Sequence, residues 1–302
     1  MSTPDISIVV CTQNRAAMLR GALASLYDLP ADGFSYEIVV IDNGSTDATP
    51  SVTASAAAES RHPLRCIHEA EKGIVSARNR GIREARGRWI AFFDDDQLAD
   101  SRWLAELYRG ARDKQCRVAG GSVHLTFPAG CSRRLDPTVR MLLGEAKLGD
   151  EPRPYGGRLT PGCGNLMIER SVFEQVGVFE RTVSGRGEDT DLFSRIERAE
   201  IAAWYFPAAI VHHLTPPERL NDEYLLSLAR RMGEGVAQRQ AGQFSRSRFA
   251  AVWLAKAVRL ALIQAPRAAL AWVRGDSELA LGQRCLLAIN ASFLHSTKAL
   301  RS

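Results

Sequence analysis

What this chain lacks narrows the field before any motif is read. Its six cysteines (Cys11, Cys66, Cys116, Cys131, Cys163 and Cys285) are scattered singly, with no Cys-x-x-Cys pair. That spacing argues against a zinc site. Residues 1–5 are short and polar with no secretory signal, so a disulfide framework is not expected and a reducing, cytoplasmic compartment is. No uncharged apolar run reaches the ~18 residues of a membrane-crossing helix. The longest candidate, residues 249–263, is interrupted by Lys256 and Arg259, and no transmembrane helix is expected. Neither early strand is followed by Gly-x-Gly-x-x-Gly, which disfavours a dinucleotide-dependent dehydrogenase. Internal repeats and low-complexity segments are missing as well.

What is present is ordinary in bulk and uneven in detail. The 302 residues are 45% apolar and 24% charged, enough for one large α/β domain with additional elements. Residues 227–302 carry twelve Lys or Arg against three acidic side chains, which leaves residues 1–226 mildly acidic despite the net charge of +5. A basic tail on an acidic body points to an anionic partner for the tail.

Strand and helix patterns alternate over the first hundred residues. Apolar strand-like runs at 6–11, 37–42, 64–67 and 89–93 are separated by helical periodicity near 16–27, after Asp47, and at 74–86. This spacing predicts a doubly wound, mostly parallel sheet. In such sheets ligands bind beyond the carboxyl ends of the strands. Thr12, Asn14 and Arg15, then Asp42, then Asp94, Asp95 and Asp96 all collect at that edge. Further on, a strand is expected at 117–125 and another at 165–169, with a short helix near Ser171 and a helix opening at Glu188-Asp189. Short strands are expected at 202–206 and 209–211. Residues 126–160 are Pro-, Gly- and Arg-rich and read as a functional loop. From Asp222 the chain looks helical, with breaks at Gly242, Pro266 and Gly275.

The acidic triplet is the most informative feature. Three carboxylates at a strand end repel one another, and burial raises their pKa values. A hard divalent cation with oxygen ligands relieves both problems; a solvated acidic turn is the bland alternative. Asp42 is placed to accept from a ribose or a base edge, or merely to start the Asn43-Gly44 turn. Arg78, early in a helix with Asn79, can meet a diphosphate or one of the aspartates, or lie on the surface. Gly185-Arg186-Gly187-Glu188-Asp189 presents two carboxylates at a helix start, suited either to capping or to taking a proton from an alcohol. His212 and His213 follow a short strand, and adjacent strand residues point to opposite faces, so at most one of them meets a metal.

In this order the pieces resemble the family 2 glycosyltransferases, inverting enzymes of the GT-A fold. The matching residues are Ile6-Ser7-Ile8-Val9-Val10-Cys11-Thr12-Gln13-Asn14-Arg15, Glu37-Ile38-Val39-Val40-Ile41-Asp42-Asn43-Gly44-Ser45-Thr46-Asp47, Ala77-Arg78-Asn79-Arg80-Gly81, Phe93-Asp94-Asp95-Asp96 and Gly187-Glu188-Asp189-Thr190-Asp191-Leu192. The resemblance covers about residues 5–220. It implies a GT-A-type sheet with a C-terminal helical extension and a nucleotide-diphospho-sugar donor held by Thr12, Asn14, Arg15 and Asp42, with Arg78, Asn79, Asp94 and Asp95 beside it. Asp94 and Asp96 match the Asp-x-Asp pair, Asp96 being the direct ligand of Mn²⁺ or Mg²⁺, and His213 or His212 would complete the metal site. Asp189 matches the catalytic base, with Glu188 next to it. The first turn lacks the Pro or aromatic residue often found before Asn in this family, and the triplet leaves the register of the pair open by one.

The implied division is residues 1–100 for the donor, 101–222 for acceptor and base, and 223–302 as a basic helical extension. The implied partners are the sugar nucleotide and a glycan or lipid-linked acceptor, not nucleic acid. Residues 227–302 are expected either to meet an anionic membrane surface, with the protein peripheral on the inner face of the cell membrane, or to pack on the catalytic domain with their charges exposed to solvent. The rival functions are a sugar nucleotidyltransferase, which would want a glycine-rich basic loop where Thr12-Gln13-Asn14-Arg15 stands, and a silent nucleotide-sugar-binding protein.

Overall fold

The apolar runs at the start of the chain become neighbouring strands of one sheet in the computed structural model, which describes residues 3–31, 33–128, 130–131, 134–157, 159–181 and 187–299. In chain order, β1 (Ile6–Thr12), α1 (Ala16–Ala24), β2 (Tyr36–Asp42), α2 (Thr49–Glu59), β3 (Leu64–His68), α3 (Ile74–Glu84) and β4 (Trp89–Asp94) form the doubly wound part. Next come β5 (Gln97–Ala99), α4 (Trp103–Asp113), β6 (Val118–Thr126), α5 (Pro137–Leu142), β7 (Arg153–Pro154) and β8 (Asn165–Glu169). They are followed by α6 (Arg170–Val176), α7 (Glu188–Arg198) and β9 (Ala203–Leu214). After a 3₁₀ turn at Pro217–Leu220 the described chain is helical: α8 (Asp222–Gln243), α9 (Arg246–Arg259), a π-helical turn at Leu260–Gln264, α10 (Ala265–Val273) and α11 (Ser277–Ala299).

The strand order is β3-β2-β1-β4-β8-β6-β9-β5, with β7 paired to β9. Strands β3, β2, β1 and β4 run parallel, and β8 joins β4 antiparallel. Strands β1, β2 and β4 are buried on both faces, as the alternation of their contacts shows, whereas the edge strand β3 is partly exposed. Ile6, Ile8 and Val10 face α1 and α4 through Leu19, Leu23 and Trp103, whereas Val9, Val39 and Ile41 face α3 and α7 through Ala77, Ile82 and Phe193. A near-continuous apolar run is the sequence consequence of that two-sided burial.

Polar stitches fix the ladder. At the amino-terminal edge, Ser7 Oγ donates to Glu37 Oε1 at 2.7 Å, and the Arg86 backbone N–H donates to the same carboxylate at 2.8 Å. In the antiparallel part, buried Asn165 donates to the carbonyls of Ser122 and Ala209, each at 2.9 Å, and accepts from the Trp103 indole at 2.7 Å.

The chain divides into two compact units. The first comprises Met1–His124, Ala146–Arg181 and Glu188–Leu214, and the second takes the rest. The second unit has its own apolar clusters, one around Val139, Leu225 and Leu281 and another around Ala237, Phe249 and Phe293.

Four details depart from the sequence reading. Residues 203–214 form one long strand, Pro207 lying between the part paired with β7 and the part paired with β5. Helix α8 runs through Gly242 and ends at Gln243, with extended Phe244 as its cap. Pro266 does not break the last helices, because the π-helical turn just before it, in which the Ala265 N–H reaches back to the Leu260 carbonyl, makes room for the proline ring. Finally, Arg246–Val273 is continuously helical over 28 residues, and an 18-residue window within it reaches a mean hydropathy of 1.3, which meets the length and composition of a membrane-crossing helix. Counting only uncharged runs had hidden this, since Lys256, Arg259 and Arg267 interrupt the run without interrupting the helix.

Candidate active site

The carboxyl ends of β1 and β4 are adjacent, Cys11 standing opposite Asp94 in the ladder. The acidic triplet is the turn into β5, so its three side chains leave the backbone in different directions. They line a cavity of about 360 Å³ together with Thr12, Arg15, Asn43 and His213.

Each aspartate has a distinct environment. Asp95 is buried and held at both oxygens, accepting from Thr12 Oγ1 at 2.7 Å and Arg15 Nη1 at 2.8 Å. Asp96 accepts from the same Arg15 nitrogen at 3.0 Å, and its other oxygen lies 3.4 Å from His213 Nε2. Asp94 keeps part of its carboxylate exposed, 4.0 Å from Arg78 Nη2. Burial raises the pKa of Asp94 above the ordinary aspartate value; Arg78 pulls it back, while Asp96 and Asp95 push it further up. Asp95 is likewise raised by burial, against the pull of Arg15 and Thr12.

The loop Gly162-Cys163-Gly164 passes directly over Asp94. A Cβ on Gly164 would stand 2.3 Å from Asp94 Oδ2 and 2.5 Å from Gln97 Nε2, so a larger residue there would displace both side chains. Gln97 Oε1 is buried beside this carboxylate and has no hydrogen-bond partner among the described residues. Burial pushes the Cys11 thiol up to about 12 and raises Cys163 further. Neither cysteine is therefore a thiolate nucleophile at neutral pH.

Arg78 sits on the first turns of α3 and is almost fully buried. Its Nη1 donates to Glu188 Oε1 at 2.6 Å, and its guanidinium lies over the Phe179 ring, 5.4 Å from the centroid. Asn79 holds Phe179 in place by a two-way clamp, donating to its carbonyl at 2.9 Å and accepting from its N–H at 3.0 Å. The nearby carboxylates raise the Arg78 pKa despite the opposing effect of burial. Glu188 thus belongs to an ion pair. Asp189 makes no ion pair among the described residues; its Oδ1 accepts from the Thr190 N–H at 2.7 Å, and its charge acts on Cys163, as do those of Asp94 and Glu188. Asp191 is tied to Arg195 at 3.0 Å. Gly185 and Arg186 lie outside the described residues.

Asp42, Asn14 and His212 do not line the cavity. Asp42 is buried and accepts from the Ser45 N–H at 2.9 Å, closing its own turn. Asn14 adopts a positive φ of 54° and accepts from the Thr46 N–H at 2.7 Å, which fastens the β1 turn to the β2 turn. His212 packs edge-on against His124, so of the two histidines His213 is the one beside the triplet.

The sequence reading passed over Asn43. Its buried amide donates to the Glu69 and Glu71 carbonyls and accepts from the N–H of Gly73, whose φ of +121° opens α3 beneath the cavity. The Asp42-Asn43-Gly44 run was the available signal, since Asn readily binds nearby backbone in turns. Among the described residues no three His, Cys, Asp or Glu side chains are gathered as a ready-made metal centre.

The sequence profile of Glycosyl transferase family 2 matches residues 7–177. Glycosyltransferase AglE of Haloferax volcanii is 25% identical over 187 residues, covering 61% of this chain and 59% of its own. Succinoglycan biosynthesis protein ExoO of Rhizobium meliloti is 33% identical over 132 residues, covering 44% of this chain and 37% of its own. The chain therefore spans less than two thirds of the length of these curated relatives. Mannosyltransferase PcManGT from Pyrobaculum calidifontis, solved in complex with GDP-Man and Mn²⁺, aligns at a TM-score of 0.64 and 20% identity over 97% of this chain and 88% of its own. At that identity the likeness is one of fold, and the fold is the GT-A type.

Proposed function

The chain belongs to glycosyl transferase family 2, and from that membership we propose that it moves a sugar from a nucleotide-diphospho-sugar to the hydroxyl of a glycan or lipid-linked acceptor in cell-surface glycan or glycolipid synthesis. One observation carries the proposal: the parallel strands end at a cavity of about 360 Å³ lined by carboxylates, with Arg15 at its wall and Arg78 beside Asp94. That is where a doubly wound sheet binds ligands, and its charges suit a diphosphate carried with a cation.

In this reading residues 1–100 hold the donor and 101–222 supply the acceptor side and the base. Thr12 and Arg15 line the nucleoside end, while Asn14 and Asp42 hold the two turns that frame it. Arg78 meets the diphosphate, positioned by Glu188 and by the Phe179 ring that Asn79 clamps. Asp94, Asp96 and His213 would hold Mn²⁺ or Mg²⁺. Hard oxygen donors with one imidazole suit such an ion, and the orphaned Gln97 Oε1 is a further buried acceptor on the strand that follows the triplet. When bound, the ion supplies positive charge against the departing diphosphate. Asp95, held at both oxygens by Thr12 and Arg15, shapes the turn.

Asp189 takes the proton of the acceptor hydroxyl as that oxygen attacks the anomeric carbon. The bond to the diphosphate breaks on the opposite face, the configuration inverts, and no covalent enzyme intermediate forms. We assign the work to the cytoplasmic side of the cell membrane.

Thermal-shift measurement with UDP, GDP, CDP and dTDP, each with and without Mn²⁺, tests the donor assignment. A bound ligand stabilises by RT ln(1 + [L]/Kd). One of the nucleotides is expected to raise Tm, and more so with Mn²⁺. No shift with any of them, with or without metal, contradicts the proposal.

A further inference from the structure

We propose that the helical run Arg246–Val273 lies flat on a bilayer surface rich in anionic lipid, as a docking face separate from the active site. Its inner side is packed within the second unit. Phe249 stacks near Phe293 with ring centroids 6.1 Å apart, Trp253 Nε1 donates to the Leu294 carbonyl at 3.4 Å, and Lys256 Nζ donates to Asn290 Oδ1 at 3.3 Å. Buried Gln264 then accepts from Asn290 at 3.1 Å. Outside those contacts the run carries bare apolar side chains. Leu254 and Val258 are exposed there, and the exposure reaches 72% at Leu262, 78% at Trp272 and 74% at Val273.

Charge names the occupant. Residues 246–275 contain six Lys or Arg and no Asp or Glu. Arg248, Arg259, Arg267 and Arg274 are all exposed beside the apolar face. A second copy docking by two-fold symmetry would set this basic surface against itself. An anionic lipid surface receives both features together, the apolar side chains entering the acyl boundary and the guanidinium groups meeting phosphates. The exposed Trp272 has the amphipathic ring favoured at that depth. The length of the run would also allow it to cross a bilayer, but crossing would strip away its packed side and leave the Lys256–Asn290–Gln264 chain of polar groups in hydrocarbon. Lying on the surface keeps that chain packed.

Nothing in this inference depends on glycosyl transfer, so the two can fail separately. The full chain is centrifuged with vesicles of phosphatidylcholine alone and of phosphatidylcholine mixed with phosphatidylglycerol, at low and high salt. Binding is expected only with phosphatidylglycerol and only at low salt. The double variant Arg267→Gln, Arg274→Gln should weaken it about fivefold for each charge removed. The variant Leu262→Ser, Trp272→Ser, altered only at exposed positions, should weaken it about tenfold or more while leaving Tm unchanged. Equal recovery in the supernatant with both lipids overturns the proposal, as does undiminished binding by either variant. Dimers that dissociate on Leu262→Ser, Trp272→Ser would make the face a contact between copies, and carbonate-resistant membrane retention in cells would make it a span; each result rejects a surface-lying helix.

Discussion

Replacing Asp189 by Asn separates catalysis from folding more cleanly than any other change at this site. The amide keeps an oxygen where Oδ1 now accepts from Thr190 N–H at 2.7 Å, so the local hydrogen bond survives. Only the negative charge near a helix start is lost, worth ~0.3–1 kcal/mol. The proton acceptor is lost outright, and removing a general base typically costs ~10²–10⁴ in rate, or about 3–5 kcal/mol of barrier. Glu188→Gln should behave in the opposite way. Its carboxylate neutralises buried Arg78 at 2.6 Å, with Asp94 a distant second at 4.0 Å. Breaking a buried pair costs ~3–5 kcal/mol, so this variant should lose Tm and donor affinity together. Nucleoside diphosphate release under saturating donor, set beside thermal melts of both variants, makes the comparison. An Asp189→Asn protein with the wild-type rate would leave that carboxylate as a helix-start residue only. A Glu188→Gln protein that melts normally yet does not turn over would move the base by one position.

Three further outcomes follow from the same geometry. Asp96→Ala should abolish turnover and remove the Mn²⁺ enhancement of nucleoside-diphosphate binding in a thermal-shift titration; an unchanged metal response would move the ion elsewhere. Glu37→Gln should cost about 3 kcal/mol in chemical denaturation, because the buried carboxylate accepts from Ser7, Arg65 and Arg86. Burial pushes its pKa up, but those donors more than reverse this and leave it below the ordinary glutamate value. Its contribution is therefore full above the ordinary glutamate pKa and fades as the pH falls through its lowered folded value, so the wild type should lose more stability than the variant on acidification. Asn165→Leu strands two carbonyls and the Trp103 N–H in the interior and should cost about 3 kcal/mol, read as a lower denaturation midpoint.

The parallel half of the fold was legible because strands buried on both faces write themselves as unbroken apolar runs, and the polar residues that end them share one edge of the sheet. The antiparallel half was less legible. Strand β9 was divided at Pro207, since proline ordinarily removes a strand's donor, and only the ladder shows that its partners change there. Helix α5 was absorbed into an apparent loop although Asp136 and Pro137 form a standard opening, the Asp side chain accepting from Thr138 N–H at 2.8 Å. At the site, residue types were readable but pairings were not. No spacing rule states that Asp95 is held by Thr12 and Arg15, that Glu188 is committed to Arg78, or that His213 turns to Asp96 while His212 turns to His124. Those assignments come from contacts across scores of residues, which local patterns cannot encode.

The central claim is that the edge formed by Asp94, Asp96 and His213 presents a sugar nucleotide for transfer with a divalent ion. Nucleoside diphosphate release from a panel of UDP-, GDP-, CDP- and dTDP-sugars, measured with an acceptor extract in Mn²⁺ and then in excess chelator, tests it directly. Release from one donor in Mn²⁺ that stops with chelator and returns on adding metal is the predicted result. Release that is indifferent to chelator, or no release from any donor in either condition, would contradict it.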